Sequence, residues 1–318
     1  MIASNKTLVH VYLDKSFGFG DYLRGSICMA QQAKRYNFNL KLDVSGHPIH
    51  HYMAKVEQFN PVNVQKLFNC IDSVETMAYL LNKFQTSTET TLYVASNFFY
   101  ELPLSQEVKD FVNSSLEFKE EYYYKTAVSL PLPAYSVLHV RCSDDHFIEM
   151  DSLLKNIATL SLDCETLVLS SSYALKKNLE SIYGFFVLDN KPSHCAFSTD
   201  VSELESVVID YIILSKSKST KCISFYGHGS GFSEHCSVLH DVPYQLIVQE
   251  NPVVVPPPPI QPPPLAIDFN KVVVTEPPNP VLFKANTQGM LFKASIHPQK
   301  KMPSVNKTHP RRSFAMFQ

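Results

Sequence analysis

From Tyr135 to Val248 the chain alternates short β-branched runs with amphipathic stretches, and that order leaves few folds open. Tyr135–Val140, Thr166–Ser170, Phe185–Leu188, Cys222–Phe225 and Tyr244–Val248 read as strands. Phe147–Leu160, Tyr173–Ile182, Val201–Leu214 and Phe232–Leu239 read as helices. Strand then helix, repeated, builds βαβ units, so the expectation is an α/β protein with a mostly parallel sheet and helices on both faces.

The first half carries the same order less clearly. Thr7–Leu13 reads as a strand that runs through Ser16–Gly20 into a helix from Asp21 to about Tyr36, with Asp21 at or near its N-cap. Asn39–Val44 and Thr91–Ala95 read as strands and Ser105–Phe118 as a helix. Between Ser45 and Thr90 the pattern is weak, and only a helix around Val62–Phe68 is expected. With Ser129–Pro133 (SLPLP) as the linker, the chain divides into an N-terminal α/β lobe (1–130), a C-terminal Rossmann-like lobe (131–248) and a tail (249–318).

The tail changes character. PVVVPPPPIQPPP is incompatible with helix or central strand and predicts polyproline II inside a largely disordered segment. The tail holds eight Lys/Arg against three Asp/Glu, so it is basic. Pro256–Pro264 offers the P-x-x-P spacing that SH3- or profilin-like partners read, against the plainer role of a spacer.

A formal charge of −2 gives no basic surface to argue from, and no nucleic-acid partner is expected. No apolar run approaches the length of a membrane span, and the N-terminus shows no signal-peptide pattern. Seven cysteines is an odd number without a C-x-x-C pair, which predicts reduced, buried thiols and a cytoplasmic setting.

Only nine glycines occur, and six stand in two short stretches: Gly18, Gly20 and Gly25 in FGFGDYLRG, and Gly227, Gly229 and Gly231 in GHGSGFS. Both stretches follow an expected strand and precede an expected helix. There, backbone N–H groups and a helix N-terminus can hold phosphate, although a tight turn alone would also use glycine. The first stretch is neither a G-x-G-x-x-G fingerprint, since Leu23 replaces the third glycine, nor a P-loop. Between them, Leu138–Asp151 (LHVRCSDDHFIEMD) ends a strand on His139-Val140-Arg141 and continues into Ser143, Asp144, Asp145, His146 and Glu149. Arg141 there can fork onto a diphosphate or sit in an ordinary surface ion pair. Asp210, within VVIDYIIL, lies among apolar residues, where it either caps a neighbouring element or receives hydrogen bonds from a ligand. His47, His50 and His51, and likewise His228, His235 and Cys236, have ligand-like spacing without a paired carboxylate or thiolate motif, so no metal site is expected. In GHGSG the serine is fourth, not third, which argues against a nucleophile elbow.

In order, these pieces resemble the fucosyltransferase superfamily of the two-lobed GT-B fold, which includes α1,6-type, nodulation-type and protein O-fucosyltransferases. Gly18-Phe19-Gly20 followed by Asp21 is similar to the family's first loop, His139-Val140-Arg141 to its His-x-Arg motif, and Asp210 with Leu214-Ser215 to its Asp-x-x-x-Leu-Ser segment. Ser230-Gly231-Phe232-Ser233 is similar to its last loop. Cys142 stands where α1,6-type members have a second Arg, and Asp145 where they have a basic residue. The resemblance implies two Rossmann-like lobes with the donor cleft between them, and an inverting, metal-independent hexosyltransferase using GDP-fucose or another GDP-sugar on a glycan or other hydroxyl acceptor. It implies that Arg141 neutralises the leaving phosphate and that Glu149, with Asp144 in reserve, takes the acceptor proton. Gly18, Phe19, Gly20, Asp21, His139, Asp210, Ser230, Gly231, Phe232 and Ser233 would bind the donor, the Ser233 hydroxyl completing the diphosphate cradle. The alternative is a non-catalytic nucleotide-sugar-binding or interaction protein acting through its proline-rich tail.

Overall fold

A computed structural model describes residues 5–13, 17–130, 133–142, 150–162, 165–193, 195, 200–227 and 229–249. The expectations for the tail, including Pro256–Pro264, lie outside the described residues.

The first half forms β1 (Thr7–Val11), α1 (Phe19–Tyr36), β2 (Asn39–Asp43), β3 (Gln65–Leu67), α2 (Val74–Thr86), β4 (Thr91–Ser96), α3 (Gln106–Ser115) and α4 (Glu120–Ser129). A 3₁₀ turn at Pro48–Tyr52 lies between β2 and β3. The second half forms β5 (Ser136–Arg141), α5 (Met150–Thr159), β6 (Thr166–Ser170), α6 (Tyr173–Tyr183), α7 (Val201–Lys216), β7 (Thr220–Ser224), α8 (Gly231–Leu239) and β8 (Tyr244–Val248). The strands make two parallel four-stranded sheets, ordered β2-β1-β4-β3 and β6-β5-β7-β8. With their helices they form two Rossmann-like lobes, a GT-B-like architecture. In each sheet one inner strand, β1 or β5, has the strand that follows it on one side and a later strand on the other. That reversal of direction opens a crevice beyond the strand's carboxyl end, where α/β proteins bind ligands.

Packing explains why the two crevices meet. One apolar core is common to both lobes and joins Phe19 and Tyr22 of α1 to Phe118, and to Val208, Tyr211 and Ile212 of α7. Separate cores cover the outer faces, around Met29, Met77 and Leu81 in one lobe and Leu138, Val140 and Leu153 in the other. Side chains alternate across a strand, so Val137 joins the common core while Leu138 and Val140 face outward. The same alternation puts His139 and Arg141 on Val137's side, toward the other lobe. Behind α1, the rings of His10, Tyr22, Tyr12 and His47 stack in a column with successive centroid separations of 4.7, 4.4 and 4.1 Å.

Several expectations need correction. Gly18 is the N-cap of α1, so of the two positions expected for Asp21, at or near the cap, it holds the second: it sits in the first turn, where its charge suits the helix dipole, and pairs with Arg24 at 2.8 Å. The helix expected around Val62–Phe68 is the edge strand β3, because Gln65–Leu67 pairs with Val94–Ser96 and strand pairing overrides local propensity. Phe185–Leu188 contributes only a single bridge, Leu167 to Phe186. Helices α2 and α4 were not expected; α2 buries Met77, Leu81 and Phe84, whereas α4 buries only Thr126 and leaves little periodic signal. Cys28, Cys142, Cys195, Cys222 and Cys236 are buried free thiols, but Cys70 is exposed. His47 serves locally: its Nδ1 accepts from the Ile49 N–H at 3.1 Å, and its Nε2 lies 3.1 Å from the Cys195 carbonyl oxygen. Among the described residues no helix is long and apolar enough to cross a membrane.

Candidate functional site

A cavity of about 720 Å³ lies between the lobes, over the carboxyl ends of β1 and β5. Gly18, Phe19, Gly20 and Asp21 line it from one lobe. His139, Arg141, Asp210, Ser230, Gly231 and Phe232 line it from the other. Asp144 and Glu149 lie outside the described residues.

Two helices begin at this cavity. Neither α1, starting after Gly18, nor α8, starting after Ser230, has a side-chain cap, which is also true of α3 and α4, whereas Ser73, Ser172 and Asp200 cap α2, α6 and α7. Their first-turn N–H groups have no intrahelical acceptor, and each N-terminus carries a partial positive charge. The two ends are tightly apposed. A Cβ on Gly20 would stand 2.7 Å from Gly231 C and 2.8 Å from Phe232 Cα, so only glycine lets the backbones approach this closely. Arg141 adds a full charge from the end of β5, with its guanidinium carbon 5.4 Å from the centre of the Tyr226 ring.

His139 is buried, and burial together with the Arg141 charge lowers its pKa to about 3, so it is neutral. Its Nδ1 shares a hydrogen bond of 2.9 Å with Ser233 Oγ. The Ser233 hydroxyl expected at the diphosphate is therefore placed elsewhere. It is fully buried on the inner side of α8, where it orders His139 and donates at 3.4 Å to the Ser230 carbonyl oxygen. Asp210 is half-buried and lines the cavity from the same lobe. Asn190 Nδ2 donates to its Oδ1 at 3.4 Å, and the buried Lys176 ammonium holds Asn190 through Oδ1 at 2.7 Å and the carbonyl oxygen at 3.1 Å. Desolvation outweighs the Lys176 charge and the Asn190 hydrogen bond, and raises the Asp210 pKa to about 6.

Three further residues line the cavity: Tyr100, which the sequence did not single out, His235, which it raised only as a metal-ligand spacing, and Arg24, which it gave no role within FGFGDYLRG. Arg24 donates through Nε to the Asn97 carbonyl oxygen at 2.7 Å, pairs with Asp21 and packs over Phe99 at 4.4 Å, which fixes it at the cavity wall. Its place one turn after Asp21 was the available signal, as was that of His235 one turn after Gly231. Tyr100 had none, being in a loop after β4. Chemically, the site combines two helix N-termini, the Arg24 and Arg141 guanidinium groups and neutral hydrogen-bonding side chains around one space, with the carboxyl groups of Asp21, Asp210 and Glu234 also in the lining. The donors suit an anion with several oxygens, and Asp21 is already paired with Arg24.

No family model matches this sequence, and no curated protein sequence matches it. Solved structures do. A NodZ α-1,6-fucosyltransferase co-crystallised with GDP superposes with a TM-score of 0.50 at 16% identity, over 78% of this chain and 96% of that one. The selenomethionine form of fucosyltransferase NodZ from Bradyrhizobium gives 0.48 at 14% identity, over 74% and 92%. POFUT1 in complex with GDP gives 0.42 at 9% identity, over 78% and 99%. The likeness to the GDP-bound NodZ structure is one of fold, and it spans both lobes.

Proposed function

We propose that this chain is a glycosyltransferase that binds a GDP-sugar, GDP-fucose first, in the interlobe cavity and transfers the sugar to a hydroxyl acceptor. One observation carries the reading: the uncapped N-termini of α1 and α8, from different lobes, meet at a single cavity that Arg141 also lines. A diphosphate is the group such a set would hold. The NodZ structure that shares this fold contains GDP, which makes a guanine nucleotide the first ligand to try.

In this reading the acceptor oxygen attacks the anomeric carbon as the bond from that carbon to the β-phosphate oxygen breaks, and GDP leaves. Negative charge grows on the phosphate, so Arg141 and the helix N–H groups stabilise the transition state more than the ground state. Neutral His139, held by Ser233, braces the wall beside them. Asp210 accepts hydrogen bonds from the nucleotide. Glu149 takes the acceptor proton, with Asp144 as the second choice.

Thermal-shift titration with GDP-, UDP- and ADP-sugars tests the ligand. GDP-sugars should raise the melting temperature most. Arg141→Ala should abolish that shift and lower donor turnover by about 100-fold or more. Turnover retained in Arg141→Ala would remove the assignment.

A further inference from the structure

His235, in the second turn of α8, lines the cavity and is 4% exposed, yet its Nε2 has no hydrogen-bond partner. Buried polar atoms are nearly always paired, so an orphaned nitrogen at a cavity wall calls for a partner that arrives with a ligand. The other ring nitrogen is occupied across the lobe boundary: Tyr100 Oη lies 3.0 Å from His235 Nδ1, with the two rings edge to face. A phenol donates more readily than it accepts, and His235 is the hydrogen-bond partner the structure gives that hydroxyl. The imidazole is neutral, since burial first and the nearby Arg24 charge second lower its pKa to about 3. Nδ1 then accepts from Tyr100, and the ring proton resides on Nε2. A Cβ on Gly231 would stand 3.2 Å from Nε2, so glycine keeps clear the space beside this nitrogen at the opening turn of α8.

We infer that His235 donates a hydrogen bond from Nε2 to the anion held at the α1 and α8 N-termini, and that Tyr100, from the opposite lobe, is the positioning residue that fixes its tautomer. The arrangement rests on the diphosphate reading of the cavity. It adds a neutral donor to a cradle otherwise made of backbone N–H groups and a guanidinium. It also ties ligand affinity to closure of the lobes, because the tautomer depends on a hydroxyl supplied from across the cleft.

Isothermal titration with inorganic pyrophosphate and with GDP tests this, with melting temperatures recorded for every variant. His235→Leu should weaken both ligands about tenfold, the usual loss for one hydrogen bond to a charged group. His235→Gln, whose amide nitrogen reaches a similar position, should recover most of that loss, which a merely structural role would not allow. Tyr100→Phe should weaken binding in the wild-type background and have no further effect in His235→Leu. Wild-type affinity in folded His235→Leu overturns the inference and leaves the nucleotide reading intact. Pyrophosphate binding that depends on His235, without any preference for GDP, supports the inference and overturns the guanine-nucleotide reading. Failure of the wild type to bind either ligand overturns both. If His235→Leu does not fold, unchanged pyrophosphate affinity in Tyr100→Phe is sufficient to overturn the inference.

Discussion

Gly20 of α1 and Phe232 of α8 meet backbone to backbone, with no room for a side chain between them. The contact brings two helix N-termini, one from each lobe, into one place, and both ends are without a side-chain cap. Two partial positive charges held together repel each other unless an anion lies between them, so the contact itself favours a bound anion. Apolar packing holds the ends together in its absence. Phe19 contacts Tyr211 and Phe232 at centroid separations of 5.6 and 6.5 Å, and Lys109–Asp241 and Lys125–Glu205 pair across the lobes.

Gly20→Ala should therefore lower stability by about 1–3 kcal/mol, the usual cost of overpacking, and should weaken anion binding as well. Gly46→Ala is the control, since its Cβ would meet only the Tyr12 carbonyl oxygen at 3.4 Å, an ordinary contact. Urea melts of the two variants, with GDP titration of each, check the prediction. Equal melts for Gly20→Ala and Gly46→Ala would show that the helix ends separate at little cost.

Acid should unfold the protein earlier than carboxylate titration alone would. Burial lowers the pKa of His10 and His240 to about 4 and of His139 and His235 to about 3, from an ordinary 6.5. As pH falls below 6.5 the unfolded chain takes up protons that the folded chain refuses. Stability is thus fully present above about pH 6.5 and is lost downward, by up to about 1.4 kcal/mol per pH unit for each imidazole. Asp210 works in the opposite sense. Its folded pKa of about 6 exceeds the ordinary 3.8, so its contribution is present below pH 3.8 and is lost as pH rises through 6. Four imidazoles outweigh one carboxyl, and the urea midpoint should fall steadily from pH 7 to pH 4.5. His240→Asn, away from the cavity lining, should flatten the slope.

Asp210→Asn should separate binding from stability. Burial disfavours the carboxylate, so an amide in its place relieves a desolvation cost, while Lys176 keeps both of its hydrogen bonds to Asn190. The melting temperature should be equal to or above that of the wild type, and GDP affinity should fall about tenfold, as for loss of a charged hydrogen-bond acceptor. A clear drop in melting temperature would instead make Asp210 a structural residue.

Much of this arrangement was legible in the sequence because it is local. The βα order of 135–248 is written in short apolar runs, and the two glycine stretches mark the backbone positions where the helices open. What sequence could not give was the partner across the cleft. Nothing near Gly20 in the chain announces Phe232, and nothing near Tyr100 announces His235; those contacts come from the common core that joins α1 to α7 and α8. Strand β3 was misread for the same reason, since Gln65–Leu67 has no strand pattern of its own and is defined by its pairing with β4. Helix α2 was the opposite case: Met77, Leu81 and Phe84 at helical spacing after Ser73 were a signal that a weakly patterned stretch concealed.

Ser233 gives the sharpest test of where the anion's partners lie. Were its hydroxyl a ligand contact, Ser233→Ala would weaken GDP binding and leave the unliganded fold unchanged. The structure puts the hydroxyl in the interior, 2.9 Å from His139 Nδ1, in an environment that excludes water. Removing it takes away the 2.9 Å partner of a buried imidazole nitrogen and leaves the Cys222 sulfur, 4.0 Å away, as a weak substitute. An orphaned buried group of this kind costs about 1–3 kcal/mol. Ser233→Ala should therefore lower the urea midpoint of the unliganded protein, and any loss of GDP affinity should be no larger than that change in stability. A variant with an unchanged urea midpoint and a large loss of GDP affinity would return the hydroxyl to the cavity and take His139 with it.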